Sequence, residues 1–180
     1  YRPTQDGKYP TVMQYDPYVA AGSGPNPTWL DKGYAYIGVS VRGTGCSQGT
    51  FSFLNGESHG ADGADVVNWI ARQPWSNGAV GLWGSSYPAH TAYFVAAKRP
   101  PALKAMVTSS ITANVYEDAL YPGGMFNLGV TSRWFTLYQP ALSTAGMNER
   151  IGWGDTECEP NAKARLPVDY VREVQQHPFD

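Results

Sequence analysis

The chain lacks both an excess of positive charge and a long apolar run, and these absences limit its functions. Its 180 residues include 13 Lys and Arg against 15 Asp and Glu, for a formal net charge of −2. The basic residues are dispersed, so nucleic acid is not expected as a partner. No apolar stretch approaches the ~18 residues of a membrane-spanning helix, so no membrane partner is expected. With 42% hydrophobic residues, the chain is predicted to bury one sizeable core as a soluble globular unit.

Cysteine is also scarce, since Cys46 and Cys158 are the only two. Neither has a second Cys or a His at the spacing of metal ligands, so neither a metal site nor a cofactor is predicted. The two thiols are either a disulfide or unrelated reduced side chains. A disulfide would close a loop of about 112 residues and stabilise the fold by about 4 to 5 kcal/mol. It would also favour a secreted protein, and the sequence leaves both alternatives open.

The most informative feature of the chain is the segment Ala79–His90, where a short apolar run passes through a glycine and two serines into a helix-compatible sequence. A sharp turn between a strand and a helix can expose a serine hydroxyl as a nucleophile, as in the Gly-x-Ser-x-Gly elbow of α/β-hydrolases. Ser86 is preferred to Ser85 as the nucleophile, because Gly84 stands two positions before Ser86. The corresponding position before Ser85 is Trp83, whose side chain does not suit a sharp turn.

The match to the elbow pattern is incomplete after the serine. Pro88 replaces the second glycine. The backbone N–H expected to bind an oxyanion belongs to Tyr87, so this replacement does not remove it. Taken alone, a Gly-Ser-Ser turn is more often ordinary loop chemistry than a catalytic site.

Strand-type and helix-type patterns alternate through residues 1–110, which predicts an α/β fold with a doubly wound, mostly parallel sheet. Residues 111–180 contain helical fragments without an evident strand, and they are predicted to form a helical excursion from the sheet. The predicted strands are Thr11–Gln14, Ala35–Val41, Ala79–Trp83 and Ala105–Ser109, and the predicted helices are Trp29–Lys32, Asp62–Arg72, a helix after Ser86, and Leu166–Gln176.

Ligands of open α/β sheets bind beyond the carboxyl ends of the strands, where Tyr15–Tyr18, Arg42–Gly45 and Ser86 are predicted to lie. Aromatic residues make up 13% of the chain. Those after residue 110 either pack within the protein or wall an apolar pocket. They include Tyr121, Phe126, Trp134, Phe135, Tyr138 and Trp153.

A serine nucleophile needs a base, ordinarily a His oriented by a carboxylate, and in α/β-hydrolases these follow the serine in the order Asp or Glu, then His. His59 precedes the nucleophile, and His90 is expected to lie behind the elbow as a packing residue. His177 has the right order, with Asp155 and Asp169 before it. None of these three ends a recognisable strand, so the acid and base are expected beyond the end of this chain, in a longer protein.

Three segments of the sequence, occurring in this order, resemble one family. They are Gly33–Phe51, Val67–Trp75 and Gly84–Pro88, and together they are similar to the X-Pro dipeptidyl-peptidase and cocaine esterase family of α/β-hydrolases. That family carries its nucleophile in a Gly-x-Ser-Tyr-x-Gly turn. The match here is at Gly84, Ser86 and Tyr87, with Ala89 in place of the last glycine.

The resemblance implies a role for Tyr18, since a Pro-Tyr pair after the corresponding strand supplies a tyrosine hydroxyl to the family's oxyanion hole. The Tyr18 hydroxyl and the Tyr87 backbone N–H are thus the two implied oxyanion donors. Arg42-Gly43 resembles a structural Arg-Gly turn of the family. An Asp usually precedes that turn, and Ser40 stands there instead. The resemblance also implies that residues 1–110 form part of the α/β-hydrolase core, and that residues 111–180 belong to an inserted helical cap.

Two functions are therefore weighed for this chain. In the first, it is the N-terminal part of a serine hydrolase that acts on ester or amide carbonyls, X-Pro peptides among them, through an acyl-enzyme at Ser86. The substrate would be a small-molecule or peptide acyl compound, and this segment alone would show little turnover. In the second, it is a noncatalytic binding module of hydrolase fold without a base.

Overall fold

In the part of the chain that the structure describes, four parallel strands form the sheet, and their order across it is β2-β1-β3-β4. The computed structural model describes residues 1–18, 21, 24–134, 147–158 and 160. The strands are β1 (Tyr9–Asp16), β2 (Ala35–Ser40), β3 (Ser76–Ser85) and β4 (Leu103–Ser109). All four predicted strands and their parallel arrangement are confirmed.

Some helices connect these strands and others follow β4, and the longest helix begins earlier than the sequence pattern indicates. They are α1 (Pro27–Leu30), α2 (Gly56–Ala71), α3 (Tyr87–Ala97), α4 (Leu128–Arg133) and α5 (Met147–Gly152). Helix α2 was expected from Asp62. It starts at Gly56 because Asn55 caps it, with the Asn55 side-chain oxygen accepting a hydrogen bond of 3.0 Å from the Ser58 N–H.

Two glycines of α2 allow α3 to approach it closely. A Cβ on Gly60 would lie 2.6 Å from the carbonyl oxygen of Phe94, and a Cβ on Gly63 would lie 2.3 Å from a methyl group of Val95. Helices α2 and α3 pack against each other and both contact β3, so they cover the same face of the sheet. Because glycine lowers helix propensity, the glycines in the first half of α2 make that half difficult to recognise as a helix from the sequence. The packing nevertheless requires them there.

An apolar core lies between these two helices and the sheet. Val67 and Ile70, three residues apart on α2 and hence on one face of it, are both 0% exposed. The buried cluster comprises Met13, Tyr15, Val41, Val67, Ile70, Val80, Leu82, Ala92, Val95 and Ala102. This core fixes the position of α3 against the carboxyl end of β3.

Strand β2 is only partly buried, although its sequence is a nearly continuous apolar run. Ala35 and Tyr36 are buried, whereas Ile37, Gly38 and Val39 are only half-buried. Among the strands that the structure describes, β2 pairs with β1 alone and lies at one end of the sheet. The apolar side chains of β2 are therefore only partly covered, and the strand is not buried on both faces.

The order of the strands creates a switch point between β1 and β3. From β1 the chain passes to β2 on one side, and β3 then lies on the other side of β1 with β4 beyond it. In open α/β sheets, the crevice outside the carboxyl ends of such neighbouring strands is where ligands bind. Here those ends lead into the segments that carry Tyr18 and Ser86.

Short helical pieces follow β4, as predicted for the segment after Ser110. They include a π-helical turn at Tyr116–Leu120 and a 3-10 turn at Pro122–Gly124, in addition to α4 and α5. The expected helix Leu166–Gln176, together with His177, lies outside the described residues. The division into a core at 1–110 and a cap at 111–180 stays a prediction. In the described ranges, no helix has the length and apolarity to cross a bilayer.

Candidate active site

Ser86 occupies the turn between β3 and α3 in a conformation that side-chain-bearing residues rarely adopt. Its φ is 66° and its ψ is −126°, and the residue is exposed. Such a backbone costs on the order of 1 to 3 kcal/mol and persists only where the surrounding structure imposes it. The Ser86 hydroxyl is thereby presented at the end of the sheet. Ser85, by contrast, is the last residue of β3 and pairs in register with Ser109.

Gly84 makes this turn sterically feasible. A Cβ at Gly84 would lie 2.3 Å from the Cβ of Pro88 and 2.6 Å from its carbonyl carbon. The first turn of α3 therefore packs directly against the end of β3, where only a glycine fits. The preference for Ser86 over Ser85 as the nucleophile used the same steric argument, and it stays a prediction. Pro88 lies in the first turn of α3, where its missing N–H has no intrahelical partner to lose.

The backbone of Ser86 is held on both sides by hydrogen bonds. Its N–H donates to the carbonyl of Ser109 over 3.1 Å, which ties the turn to β4. Its carbonyl accepts from the N–H of Ala89 over 2.9 Å and lies 3.1 Å from Nδ1 of His90. Because a carbonyl can only accept, Nδ1 is the protonated ring nitrogen in this contact. These bonds supply the restraint that the strained turn needs.

Tyr18 is positioned by a buried turn at the end of β1. The Tyr18 N–H donates to Oδ1 of Asp16 over 2.7 Å, and Nε2 of Gln14 donates to Oδ2 of the same carboxylate over 2.7 Å. Asp16 is 0% exposed. The Tyr18 ring meets the Tyr87 ring edge-on, with centroids 6.1 Å apart. The predicted oxyanion donors, Tyr18 and Tyr87, are therefore neighbours across the crevice between β1 and β3.

A cavity of about 200 Å³ joins Ser86 and Tyr18. Most of its wall is apolar, and it includes aromatic groups of Phe53 and Trp134. Its lining consists of Tyr18, Phe53, Leu54, Ser86, Tyr87, His90, Ser110, Thr112, Val115, Ala119, Leu120, Thr131 and Trp134. Trp134 is one of the aromatic residues for which packing and the wall of a pocket were the alternatives; it lines this cavity, and its indole stacks on the Tyr87 ring with centroids 5.8 Å apart.

Beneath the cavity, Tyr87 and His59 form a buried polar pair that the sequence reasoning missed. The Tyr87 hydroxyl accepts from the Leu54 N–H over 2.8 Å and lies 3.0 Å from Nε2 of His59. Burial lowers the pKa of His59 to about 4, so the imidazole is neutral near pH 7. Burial also raises the pKa of the Tyr87 phenol. Both groups are thus uncharged, and together they fix the first residue of α3.

His90 does not lie behind the elbow, as was expected, but on the wall of the cavity. It is half-buried, one helical turn after Ser86. Its Nε2 lies 3.1 Å from Oγ1 of Thr112, in the segment after β4. The spacing of four residues placed His90 correctly on α3, but it did not indicate which direction the ring faces.

Arg42 finds its carboxylate partner on a helix. The guanidinium forms two hydrogen bonds to Asp62 of α2, and its Nε lies 2.5 Å from Oδ2. Gly43 has φ = 72°, and a Cβ there would lie 2.2 Å from the backbone nitrogen of Phe51. The Arg42-Gly43 turn therefore has the structural role that was expected. Ser40 supplies no carboxylate, and the ion pair with Asp62 replaces that contact.

The structure joins Cys46 and Cys158 by a disulfide, with Cα atoms 4.5 Å apart. The sequence left open a disulfide or two reduced thiols, and the structure contains the disulfide. It ties the loop after β2 to the segment after α5. There, Arg150 pairs with Asp155 and holds the pKa of that carboxyl below its usual range. Across the described ranges, no group of three or more His, Cys, Asp or Glu side chains could hold a metal ion.

Solved structures with the same arrangement define the class of fold. A CocE/NonD family hydrolase from Staphylococcus aureus superimposes with a TM-score of 0.69 at 26% identity, covering 99% of this chain and 32% of that one. An α-amino acid ester hydrolase superimposes with a TM-score of 0.64 at 19% identity, covering 91% and 36% respectively, which supports the fold alone. The parallel sheet and its elbow are those of an α/β-hydrolase.

Within this class, the chain belongs to the X-Pro dipeptidyl-peptidase (S15) family, whose profile matches residues 1–177. The cocaine esterase of a Rhodococcus species is 32% identical over 158 residues, covering 83% of this chain and 27% of that protein. A provisionally named serine esterase of Mycobacterium bovis is 32% identical over 159 residues, covering 88% and 24%. The resemblance found in the sequence is confirmed, and the chain spans about a quarter of the length of these relatives.

Proposed function

We propose that this chain carries the nucleophile and the oxyanion-binding groups of a serine hydrolase that cleaves ester or amide carbonyls. The observation that carries the proposal is the strained, exposed turn at Ser86, which opens on the same cavity as Tyr18. Positive φ alone does not mark a nucleophile, since Leu54 and Arg99 also adopt it. The Ser86 turn supports the proposal because it lies at the carboxyl end of β3 and lines the cavity, where a nucleophile must project toward a substrate.

In the proposed reaction, the Ser86 Oγ attacks the substrate carbonyl carbon while a base takes its proton. The resulting tetrahedral intermediate carries its negative charge on the former carbonyl oxygen. Tyr87 is the first residue of α3, so its backbone N–H has no carbonyl to bind within the helix. This N–H and the Tyr18 hydroxyl would both donate to the oxyanion. Collapse expels the alcohol or amine, and water then hydrolyses the acyl-enzyme.

The base and its carboxylate are assigned to the part of a full-length protein that this chain, about a quarter of the length of its relatives, does not cover. Within the described ranges, no hydrogen bond joins the Ser86 hydroxyl to a histidine, and His90 contacts the backbone carbonyl of Ser86 instead. His177 and Asp169 fall outside the described residues. We therefore expect the 180-residue chain alone to hydrolyse esters slowly, because a serine without a base is a poor nucleophile near neutral pH.

The cavity favours an apolar acyl group. Its wall places Phe53, Trp134 and Leu120 within reach of a group attached to Ser86. The names of the relatives point to esters and to X-Pro peptides as the classes of substrate within the family. A hydrophobic or aromatic acyl ester fits this wall, since burial of its apolar surface contributes roughly 25 cal/mol per Å².

Covalent labelling with a fluorophosphonate tests the proposal. The full-length protein should label at Ser86, and peptide mass spectrometry should locate the adduct there. Ser86→Ala should abolish labelling, whereas Ser85→Ala, the matched control, should retain most of it. Absence of labelling in the full-length protein would refute the hydrolase proposal. That result would favour the alternative, a noncatalytic binding module.

A further inference from the structure

The imidazole of His90 separates the Ser86 cavity from a second cavity. The second cavity has a volume of about 380 Å³. His90, Thr112 and Val115 line both spaces, so these three residues form a shared wall. This wall, hereafter the His90 wall, lies on the side of the Ser86 cavity formed by α3 and the segment after β4.

The second cavity has an apolar and aromatic lining. Besides the three residues of the His90 wall, it is lined by Tyr93, Phe94, Ile111 and Ala113. Tyr93 and Phe94 continue along α3 from His90, and Ile111 and Ala113 flank Thr112 in the chain. No charged side chain lines this space. Its surface suits a hydrocarbon chain or an aromatic ring.

The His90 ring is held in place by both of its nitrogens. Nδ1 donates to the Ser86 carbonyl over 3.1 Å, and Nε2 lies 3.1 Å from the Thr112 hydroxyl. Since Nδ1 carries the proton of a neutral ring, Nε2 accepts from that hydroxyl. The His90 ring, hydrogen-bonded at both nitrogens, bridges α3 to the segment after β4 at the boundary that the two cavities share.

We infer that His90 determines how long an acyl group the site accepts, and that the second cavity is a subsite for longer apolar acyl chains that the imidazole closes off. This inference rests on the proposed attack by Ser86. The occupant is the acyl chain of an ester, because His90 is hydrogen-bonded to Ser86, the residue that would carry that chain. With the imidazole in place, the site favours short acyl groups. Without it, the two cavities join.

Hydrolysis of p-nitrophenyl esters from acetate to decanoate by the full-length protein tests the inference. His90→Ala should raise the ratio of kcat/KM for octanoate over acetate at least tenfold. His90→Asn, which shortens the side chain but keeps a donor for the Ser86 carbonyl, should raise it less. His90→Phe retains a ring of similar size, and Thr112→Val keeps the imidazole. Both should leave the ratio near that of the parent protein.

The result that overturns the inference is an unchanged octanoate-to-acetate ratio in both His90→Ala and His90→Asn. A rise of the same size in His90→Phe would also overturn it, because the loss of hydrogen bonds and not the opened space would then be responsible. If no variant and no parent hydrolyses any ester, the proposed function itself has failed. Calorimetry then tests the subsite alone: the affinity for octanoate should be at least tenfold higher in His90→Ala than in the parent protein.

Discussion

The phenol oxygen of Tyr87, the residue after the candidate nucleophile Ser86, lies 3.0 Å from Nε2 of His59, and both side chains are buried. The backbone and the side chain of Tyr87 thus serve two different parts of the structure. Its backbone N–H begins α3 at the candidate oxyanion site, while its side chain is anchored between α2 and the loop before it. The stability of the elbow is therefore coupled to the protonation of a histidine 28 residues away in sequence.

We expect this pair to make stability depend on acidity. His59 has a pKa of about 4 in the folded protein, below its ordinary value of 6.5. Between those values the unfolded chain binds a proton that the folded protein does not, so the free energy of unfolding falls as pH falls through this window. The loss should total about 3 kcal/mol, at roughly 1.4 kcal/mol per pKa unit. Urea unfolding from pH 7.5 to 4 should show it.

His59→Gln is the matched variant for this prediction, since its amide can still bond to the Tyr87 hydroxyl but does not titrate. Its unfolding free energy should vary less over the same range than that of the parent protein. Parallel curves for the two proteins would show that His59 does not govern the acid sensitivity.

Gly84→Ala should destabilise the elbow, because the new Cβ would lie 2.3 Å from the Cβ of Pro88. Forced contacts of this kind cost about 1 to 3 kcal/mol in the free energy of unfolding. Gly81→Ala, in the same strand, provides the comparison, since its Cβ would meet nothing closer than 3.7 Å. That change should stay within about 0.5 kcal/mol. Equal losses in both variants, measured by denaturant unfolding, would contradict the steric argument.

Tyr18→Phe should lower kcat for ester hydrolysis by a factor of roughly 10² to 10³, the usual cost of removing one oxyanion donor. KM should change little, because the hydroxyl interacts most strongly with the developing charge. Steady-state kinetics of the full-length protein measure both constants. Tyr34→Phe, just before β2 and outside the lining of the cavity, serves as the control. A kcat for Tyr18→Phe within about twofold of the parent would remove Tyr18 from the oxyanion site.

Replacing Cys46 and Cys158 together by Ser should lower the free energy of unfolding by about 5 kcal/mol on the chain-entropy estimate, since the bridge spans a sequence separation of 112 residues. Chemical denaturation of the variant and of the parent protein without reductant gives the difference. Dithiothreitol should bring the parent close to the variant. If reductant leaves the parent as stable as before, the bridge does not contribute in the expected way.

Local signals in the sequence predicted much of the fold and part of the candidate site. The four strands are short apolar runs bounded by turn residues, and a buried strand needs little more than this to be recognised. Gly84 and Ser86 were linked by a steric rule that acts over two residues, and the close contact of Gly84 with Pro88 follows the same rule. Steric relations between residues so close in the chain can be predicted from the sequence alone.

Contacts set by the crossover connections could not be predicted in this way. His59 reaches Tyr87 only because α2 and α3 lie against one face of the sheet, and Asp62 reaches Arg42 for the same reason. The orientation of His90 depends on Thr112, beyond the next strand. Each of these pairs joins separate elements, so its existence follows from the packing of helices and not from the pattern of any one segment.

The bridge between Cys46 and Cys158 also determines what a single cut in the backbone would do. Tyr18 precedes the bridged segment, whereas Ser86 lies within it. A protease that nicks the chain between Cys46 and Ser86 would place these two side chains on different fragments. The fragments would still migrate as one species on a gel until the sulfur bond is reduced. Hydrolysis of one peptide bond would thus leave both halves of the site on a single covalent molecule.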